Sequence, residues 1–440
     1  MSAISRVLRL VVVVCVFMMS SSLAAWSQDG LTVDIYGGGG QSRLSITQAA
    51  PMTLEGGRVP AASSKLAKYI DSNLIFLPFL KLIPLSSVPG ANVAGATSDA
   101  IDFAPFGLAK VDLVLTSGWK PGQNLGTVEL RVYESYSKRL IVGKVYENVS
   151  EGQLPQVADR FCAALMEALT GKKGFFSANL AVVKPSGKKG SDIWIVQPQG
   201  RGLTQITSYG DLGMAISPAW SFDGRRIAYT LIGSVSHYLG VWSGGKRKVY
   251  TLPSTSVVSP RFMPNGNIAV SLNLKGKMDI YELTGAMKPG RILAGGPTID
   301  VSPSFDASGR YMAYISDQTG SPQVYLKDSS SGATRRVTRF GYNTNPCISP
   351  DGRYIVFTRQ SGTHRTYLID LSTGNERQIT FGPGSDENPT FSPDSYFIAF
   401  ASTRSGKSQI YVTTIHGDTP SHVPTGSGSA RMPAWCPTGQ

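Results

Sequence analysis

The residues able to do chemistry are few, and their spacing argues against most of the chemistry they could support. His237, His364, His416 and His422 are the only histidines among 440 residues. No H-E-x-x-H pair or other metal spacing joins them, so they read as surface or loop histidines. Asp223, Asp351 and Asp394 recur at one place in a repeated phrase, where a sialidase-type motif would supply acids. In Ser349-Pro350-Asp351-Gly352, however, Gly directly follows the Asp, as a tight turn requires, and all three are read as turn residues. No G-x-S-x-G nucleophile elbow is present, which sets aside a propeller peptidase. Gly37-Gly38-Gly39-Gly40 has no G-K-[ST] and no helix opening after it, and is read as a hinge. Beyond Cys15, the cysteines Cys162, Cys347 and Cys436 fit neither a zinc site nor C-x-x-C and read as buried thiols. No catalytic residue, metal or cofactor is assigned.

Those residues must be positioned by a chain that is 41% hydrophobic and 16% charged, with 48 Gly and 27 Pro. Such a chain buries a sizeable core, and its Gly content suits a turn-rich all-β protein. The net charge of +13 would suit an anionic partner. Its Lys and Arg are spread beside turns, as at Arg225, Arg226 and Arg353, and form no run of five or six, so nucleic-acid binding is not expected. Arg6 and Arg9, an apolar run over residues 10–19 and Ser20-Ser21-Ser22-Leu23-Ala24-Ala25 have the layout of a secretory signal peptide. Ten apolar residues are too few to span a bilayer. Residues 1–25 are therefore expected to be removed on export.

An internal repeat dominates the second half. Pro218, Pro260, Pro303, Pro346, Pro389 and Pro433 recur every 42 to 44 residues, the period of a four-stranded propeller blade. Each repeat parses into short strands, A to D from the channel outward. A begins at the Pro, B is apolar on both faces, as in Tyr354-Ile355-Val356-Phe357, and D is the most polar. Trp220, Phe262, Phe305, Phe391 and Trp435 follow the prolines by two residues. They read as packing beside the channel, with a sugar-binding platform as the alternative. The last A strand has no B, C or D of its own, while residues 179–207 supply B, C and D without an A. Joining them predicts six blades over residues 175–440, closed by the C-terminal strand.

Residues 28–171 lack the repeat. Leu66, Tyr69, Ile70 and Leu74 share a helical face, residues 75–80 read as a buried strand, and residues 111–115, 127–134 and 140–146 as further strands. A second helix carrying Leu154, Val157, Phe161, Leu165 and Leu169 ends at Gly171. The expected fold is α+β and multidomain: a small N-terminal α/β domain with a mixed sheet, then the propeller.

Leader, small α/β domain and repeats together resemble the TolB family of the Tol-Pal system. The specific phrases are Leu169-Thr170-Gly171-Lys172-Lys173-Gly174-Phe175, Ser217-Pro218-Ala219-Trp220, Asn345-Pro346 and Met432-Pro433-Ala434-Trp435. The resemblance implies a non-enzymatic, monomeric periplasmic adaptor. It would bind the peptidoglycan-associated lipoprotein at the channel mouth and TolA through its mature N-terminus, supporting outer-membrane integrity and cell division. A glycan-binding propeller or a propeller hydrolase is the alternative. The N-terminal segment would be Asp29, Leu31, Thr32, Val33, Asp34 and Ile35, a short β-prone stretch suited to strand addition. Ser217, Ser259, Ser302, Asn345 and Asn388, with Met432, would ring the channel on the face where D strands cross to the next A. Each precedes a Pro and is expected to be extended, with Ser256 and Asp300 one step outward. The sequence departs from the family in having Ser256 where relatives can carry His.

Overall fold

The computed structural model describes residues 43–56 and 58–438, all within one compact unit. The leader, Cys15, the Gly37-Gly40 hinge and the segment from Asp29 to Ile35 lie outside the described residues. The N-terminal strands are β1 (Leu44–Gln48), β2 (Met52–Thr53), β3 (Leu80–Leu82), β4 (Asn92–Val93), β5 (Ile101–Asp102), β6 (Leu113–Lys120), β7 (Thr127–Glu134) and β8 (Leu140–Tyr146). Their main sheet has the order β3-β1-β6-β7-β8, with β2 also on β6. It is mixed: β1 lies parallel to β3 and β6, while β6, β7 and β8 form antiparallel pairs.

Two helices cover it, α1 (Ser63–Phe76) and α3 (Leu154–Thr170), with a short α2 (Ala104–Leu108) between them. Leu154, Val157, Phe161, Leu165 and Leu169 are all buried on α3, as their spacing predicts. Gly171 ends that helix at φ 69°, its N–H donating to the Glu167 carbonyl. At that left-handed position only Gly avoids a Cβ penalty. The strand expected over residues 75–80 is a correction. Ile75 and Phe76 complete α1, Leu77 turns extended ahead of Pro78, and the strand is only Leu80–Leu82. A short apolar run fits a buried helix end as well as a strand, and the Pro decides where the helix stops. The short α2 lies in a stretch read from sequence as turns.

In the second half, four separate four-stranded antiparallel sheets carry the repeats from residue 257 to residue 423. A fifth, eight-stranded sheet joins Met214–Trp220, Arg226–Ile232, His237–Ser243 and Lys246–Tyr250 to Leu180–Ser186, Gly190–Val196 and Thr204–Gln205. A single parallel pairing, Ser191 with Met214, links its two halves. The C-terminal strand Arg431–Trp435 lies antiparallel to Leu180–Ser186, with Ala434 opposite Ala181 and Trp435 opposite Leu180. The B strands are apolar on both faces because both are covered: Ile227, Ala228 and Tyr229 are buried, as are Ile355, Val356 and Phe357.

One aromatic cluster ties the two parts together. Phe175 stacks on Phe176, with centroids 5.3 Å apart, and meets Phe397 at 4.2 Å, Trp435 at 5.0 Å and Phe76 at 5.6 Å. Gly174 permits this approach, since a Cβ there would fall 2.7 Å from the Cα of Ala163 on α3. Arg201, in the repeat region, donates to the Asp159 carboxylate on α3 at 2.6 Å, and Asn73 of α1 donates to the same oxygen at 2.9 Å.

The same junction encloses one turn. Asp394 accepts from the Ser392 hydroxyl and from the Tyr396 N–H at 3.0 Å, while its Oδ2 is buried without a partner. Burial pushes its carboxyl up to about 6, opposed by those bonds and by nearby Lys172. A raised carboxyl pKa gives stability that is full below the unfolded value of about 3.9 and is lost as pH rises through about 6. Asp394→Asn is therefore expected to be more stable than the parent above pH 6, by about 1 to 3 kcal/mol, and to match it near pH 4. Urea unfolding across pH 4 to 8 measures this; a constant difference would rule out the titration.

Candidate functional site

The A strands are Met214–Trp220, Val257–Phe262, Asp300–Phe305, Tyr342–Ile348, Asp386–Phe391 and Arg431–Trp435. Each starts before its Pro, so the Pro is not the first residue, as the sequence had suggested. In every one the pairing with the neighbouring strand slips at the X-Pro pair, between Ile216 and Ala219 in the first and between Val301 and Ser304 in the third. Two residues there oppose one, which is a β-bulge. The Pro suits the bulge because it has no N–H to leave unpaired.

The residues before the prolines are not extended. Ser217, Ser259, Ser302, Asn345, Asn388 and Met432 all have φ between 49° and 58°. The local steric preference ahead of Pro is overruled by the bulge, whose first position takes the left-handed conformation. For a non-Gly residue that costs roughly 1 to 2 kcal/mol each, least for a short polar side chain such as Asn. Part of the cost is offset by bonds between repeats. The Ser302 N–H donates to the Ser271 hydroxyl at 3.3 Å and the Asn388 N–H to the Thr358 hydroxyl at 3.2 Å.

These six residues converge on one cavity of ≈ 310 Å³. Five of the seven sequence-predicted rim residues are thus brought together: Ser217, Ser259, Ser302, Asn345 and Asn388. The hydroxyls of Ser259 and Ser302 stand 3.4 Å apart. Ser256 and Asp300 do not line this cavity. Ser256 sits in a turn in which its N–H donates to the Ser254 hydroxyl oxygen and its carbonyl accepts from that hydroxyl. Asp300 opens its A strand, 3% exposed, and faces a separate crevice with Thr298, Tyr314 and Lys327. Burial pushes its carboxyl up, against a bond from Ser316.

The channel wall is aromatic. Trp220, Phe262, Phe305, Phe391 and Trp435 line the cavity yet are all buried. Trp220 spends its indole N–H on the Ala434 carbonyl at 3.1 Å, and Trp435 packs edge-on against Phe175. They serve as packing and present no open face to stack a sugar. Cys162 and Cys436 are buried and Cys347 lines the channel; burial pushes the Cys162 and Cys436 thiols up. Among the described residues no group of three or more His, Cys, Asp or Glu could hold a metal, and no helix is long and apolar enough to cross a membrane.

Sequence reading missed one channel residue. Among the described residues Arg261 is the only charged side chain lining the cavity, and its Nη1 donates to the Pro218 carbonyl at 3.2 Å. The signal was available: the residue after the repeat Pro is Ala219, Ser304, Cys347, Thr390 or Ala434 in the other repeats, and only here is it charged.

A β-propeller that follows a mixed-sheet domain and carries a polar, proline-collared channel defines a class of binding scaffolds. Residues 166–439 match the TolB beta propeller domain family, and the chain belongs to that family. The Tol-Pal system protein TolB of Nitratidesulfovibrio vulgaris is 45% identical over 293 residues, covering 66% of this chain and 66% of that relative. A TolB homolog of Chlorobium luteolum is 29% identical over 303 residues, 67% of each chain. The chain thus spans about two thirds of the length of these curated relatives. The crystal structure of TolB from Acinetobacter baumannii has the same fold, with a TM-score of 0.73 at 21% identity, over 90% of this chain and 98% of that one.

The bulge geometry is open to direct test at Asn345, which lines the channel with φ 51°. Asn345→Gly is expected to be near neutral, because relief of the Cβ contact offsets the entropy of Gly. Asn345→Val is expected to cost about 1 to 2 kcal/mol or more. Urea unfolding of the two variants decides it, since an extended pre-proline residue would reverse the order.

Proposed function

We propose that the chain is a non-enzymatic periplasmic adaptor of the Tol-Pal system. In this reading residues 1–25 are a signal peptide, residues 28–171 the N-terminal domain and residues 175–440 a closed ring of six blades. The channel mouth receives the peptidoglycan-associated lipoprotein, and the segment of Asp29, Leu31, Thr32, Val33, Asp34 and Ile35 adds a strand to TolA. The adaptor so links the outer-membrane layer to the inner-membrane Tol complex, in support of outer-membrane integrity and of invagination at division. It works as a monomer and needs no cofactor.

One observation carries the reading: in a chain of the TolB family, five small polar residues from five repeats converge on a single channel. A docked loop would find hydroxyl and amide groups from Ser217, Ser259, Ser302, Asn345 and Asn388 able to bond its backbone. Ser256 and Asp300 would meet the partner outside the channel. The pairing of Trp435 with Leu180 supports closure by the C-terminal strand, which gives the first blade its innermost strand.

Three experiments test this reading. Ser259→Arg and Ser302→Arg are expected to weaken lipoprotein binding in titration calorimetry by steric block while leaving the melting temperature unchanged; full affinity in both would move the site to another face. Deleting the mature N-terminus through Val33 is expected to abolish TolA capture and spare the lipoprotein, and a pull-down retaining both would reject the segment's role. Truncation after Gly428 is expected to lower the melting temperature strongly, since lost ladder bonds at roughly 0.5 to 1.5 kcal/mol each weigh against a total of about 5 to 15. An unchanged melting temperature would argue against ring closure.

A further inference from the structure

We propose that the propeller channel is an anion site in which the Arg261 guanidinium receives a carboxylate. Arg261 stands half-buried in the channel wall, among the repeat prolines, and is the only charged side chain there among the described residues. One of its five N–H donors is spent on the Pro218 carbonyl, and among the described residues no carboxylate pairs with it. Arg226 and Arg377 also bond only carbonyls, those of Gly266 and Ile415, but neither lines the channel; the remaining enclosed arginines are paired. Arg359 pairs with Glu376, Arg365 and Arg404 with Asp386, and Arg201 with Asp159. An enclosed charge is ordinarily paired, because the cost of taking it out of water is otherwise not offset.

The groups around it fit an anion. Its electrostatic neighbour is Cys347, which offers no carboxylate. Enclosure pushes the guanidinium down, the direction that a bound anion would reverse. The nearby hydroxyls of Ser259 and Ser302 can donate as well as accept, and the planar guanidinium fork matches a carboxylate in bidentate geometry. A fixed positive charge within a narrow, poorly screened channel also repels cations. The site stands apart from the adaptor reading; only the source of the carboxylate, a free small anion or an Asp or Glu of a docked partner loop, depends on it.

The test uses the full mature chain and acetate as probe, with chloride at equal ionic strength as control. Acetate is expected to raise the melting temperature of the parent and to leave Arg261→Ala and Arg261→Gln unmoved. Alanine already stands at the equivalent place in two other repeats, so that variant is expected to melt at or above the parent, and glutamine keeps most of the volume. No acetate effect in the parent, or an equal effect in both variants, overturns the site. Calorimetry with the soluble domain of the lipoprotein then separates the sources. A loss of about ten-fold or more in affinity in both variants, with acetate competing against the parent complex, assigns the carboxylate to the partner. Unchanged lipoprotein affinity beside an Arg261-dependent acetate shift assigns it to a free anion. If the parent binds no lipoprotein but keeps the acetate shift, the adaptor reading falls and the anion site stands.

Discussion

The constraint on which the propeller depends is the bulge repeated at each X-Pro pair of the A strands. It places a left-handed residue and a donor-less residue side by side, where a regular strand would have two ladder positions. A bulge bends its strand and increases the local twist. Set at the same place in all six A strands, it turns the residue before each Pro toward a common channel and leaves the residue two beyond the Pro, an aromatic in five strands and Ile348 in the other, in the wall. The strain of these left-handed non-Gly residues is partly offset at Ser302 and Asn388, whose N–H groups donate to Ser271 and Thr358 on the B strand of the preceding repeat.

The N-terminal part is bound to the propeller through a shared hydrophobic core with Phe175 among its aromatics, and through charged bonds. Phe175 reaches both the C-terminal strand, at Trp435, and the B strand that carries Phe397. The junction therefore packs on the seam where the last strand of the chain meets the first strands of the repeat region. The Asp159, Asn73 and Arg201 bonds join α3, α1 and the repeats a short distance away. A buried charge pair of this kind adds little net stability against an apolar alternative, but removing one partner leaves an uncompensated charge, which fixes the arrangement.

Electrostatics divides the molecule in two ways. The chain carries a large net positive charge, yet most of the acids at the starts of strands are consumed internally, as Asp386 is by Arg365 and Arg404. The channel inverts the usual economy of an enclosed charge by holding a cation with no internal anion.

Periodicity alone determined the propeller: six prolines at nearly equal intervals, with apolar B strands after each turn, admit few other architectures, because a repeat that cannot bury its own faces must stack on its neighbours. The same spacing placed Ser217, Ser259, Ser302, Asn345 and Asn388 in equivalent positions, and the helical pattern from Leu154 to Leu169 placed α3. What sequence reading could not decide are features that depend on contacts between distant residues. The pre-proline residues obey the bulge and not their local preference, since pairing with a strand more than ten residues away outweighs a steric bias. Ile75 and Phe76 complete a helix because the sheet already has its strand at Leu80. Arg261 stands out among the repeats only as an oddity; its meaning comes from the tertiary fold, which carries it into a channel that no acid lines among the described residues.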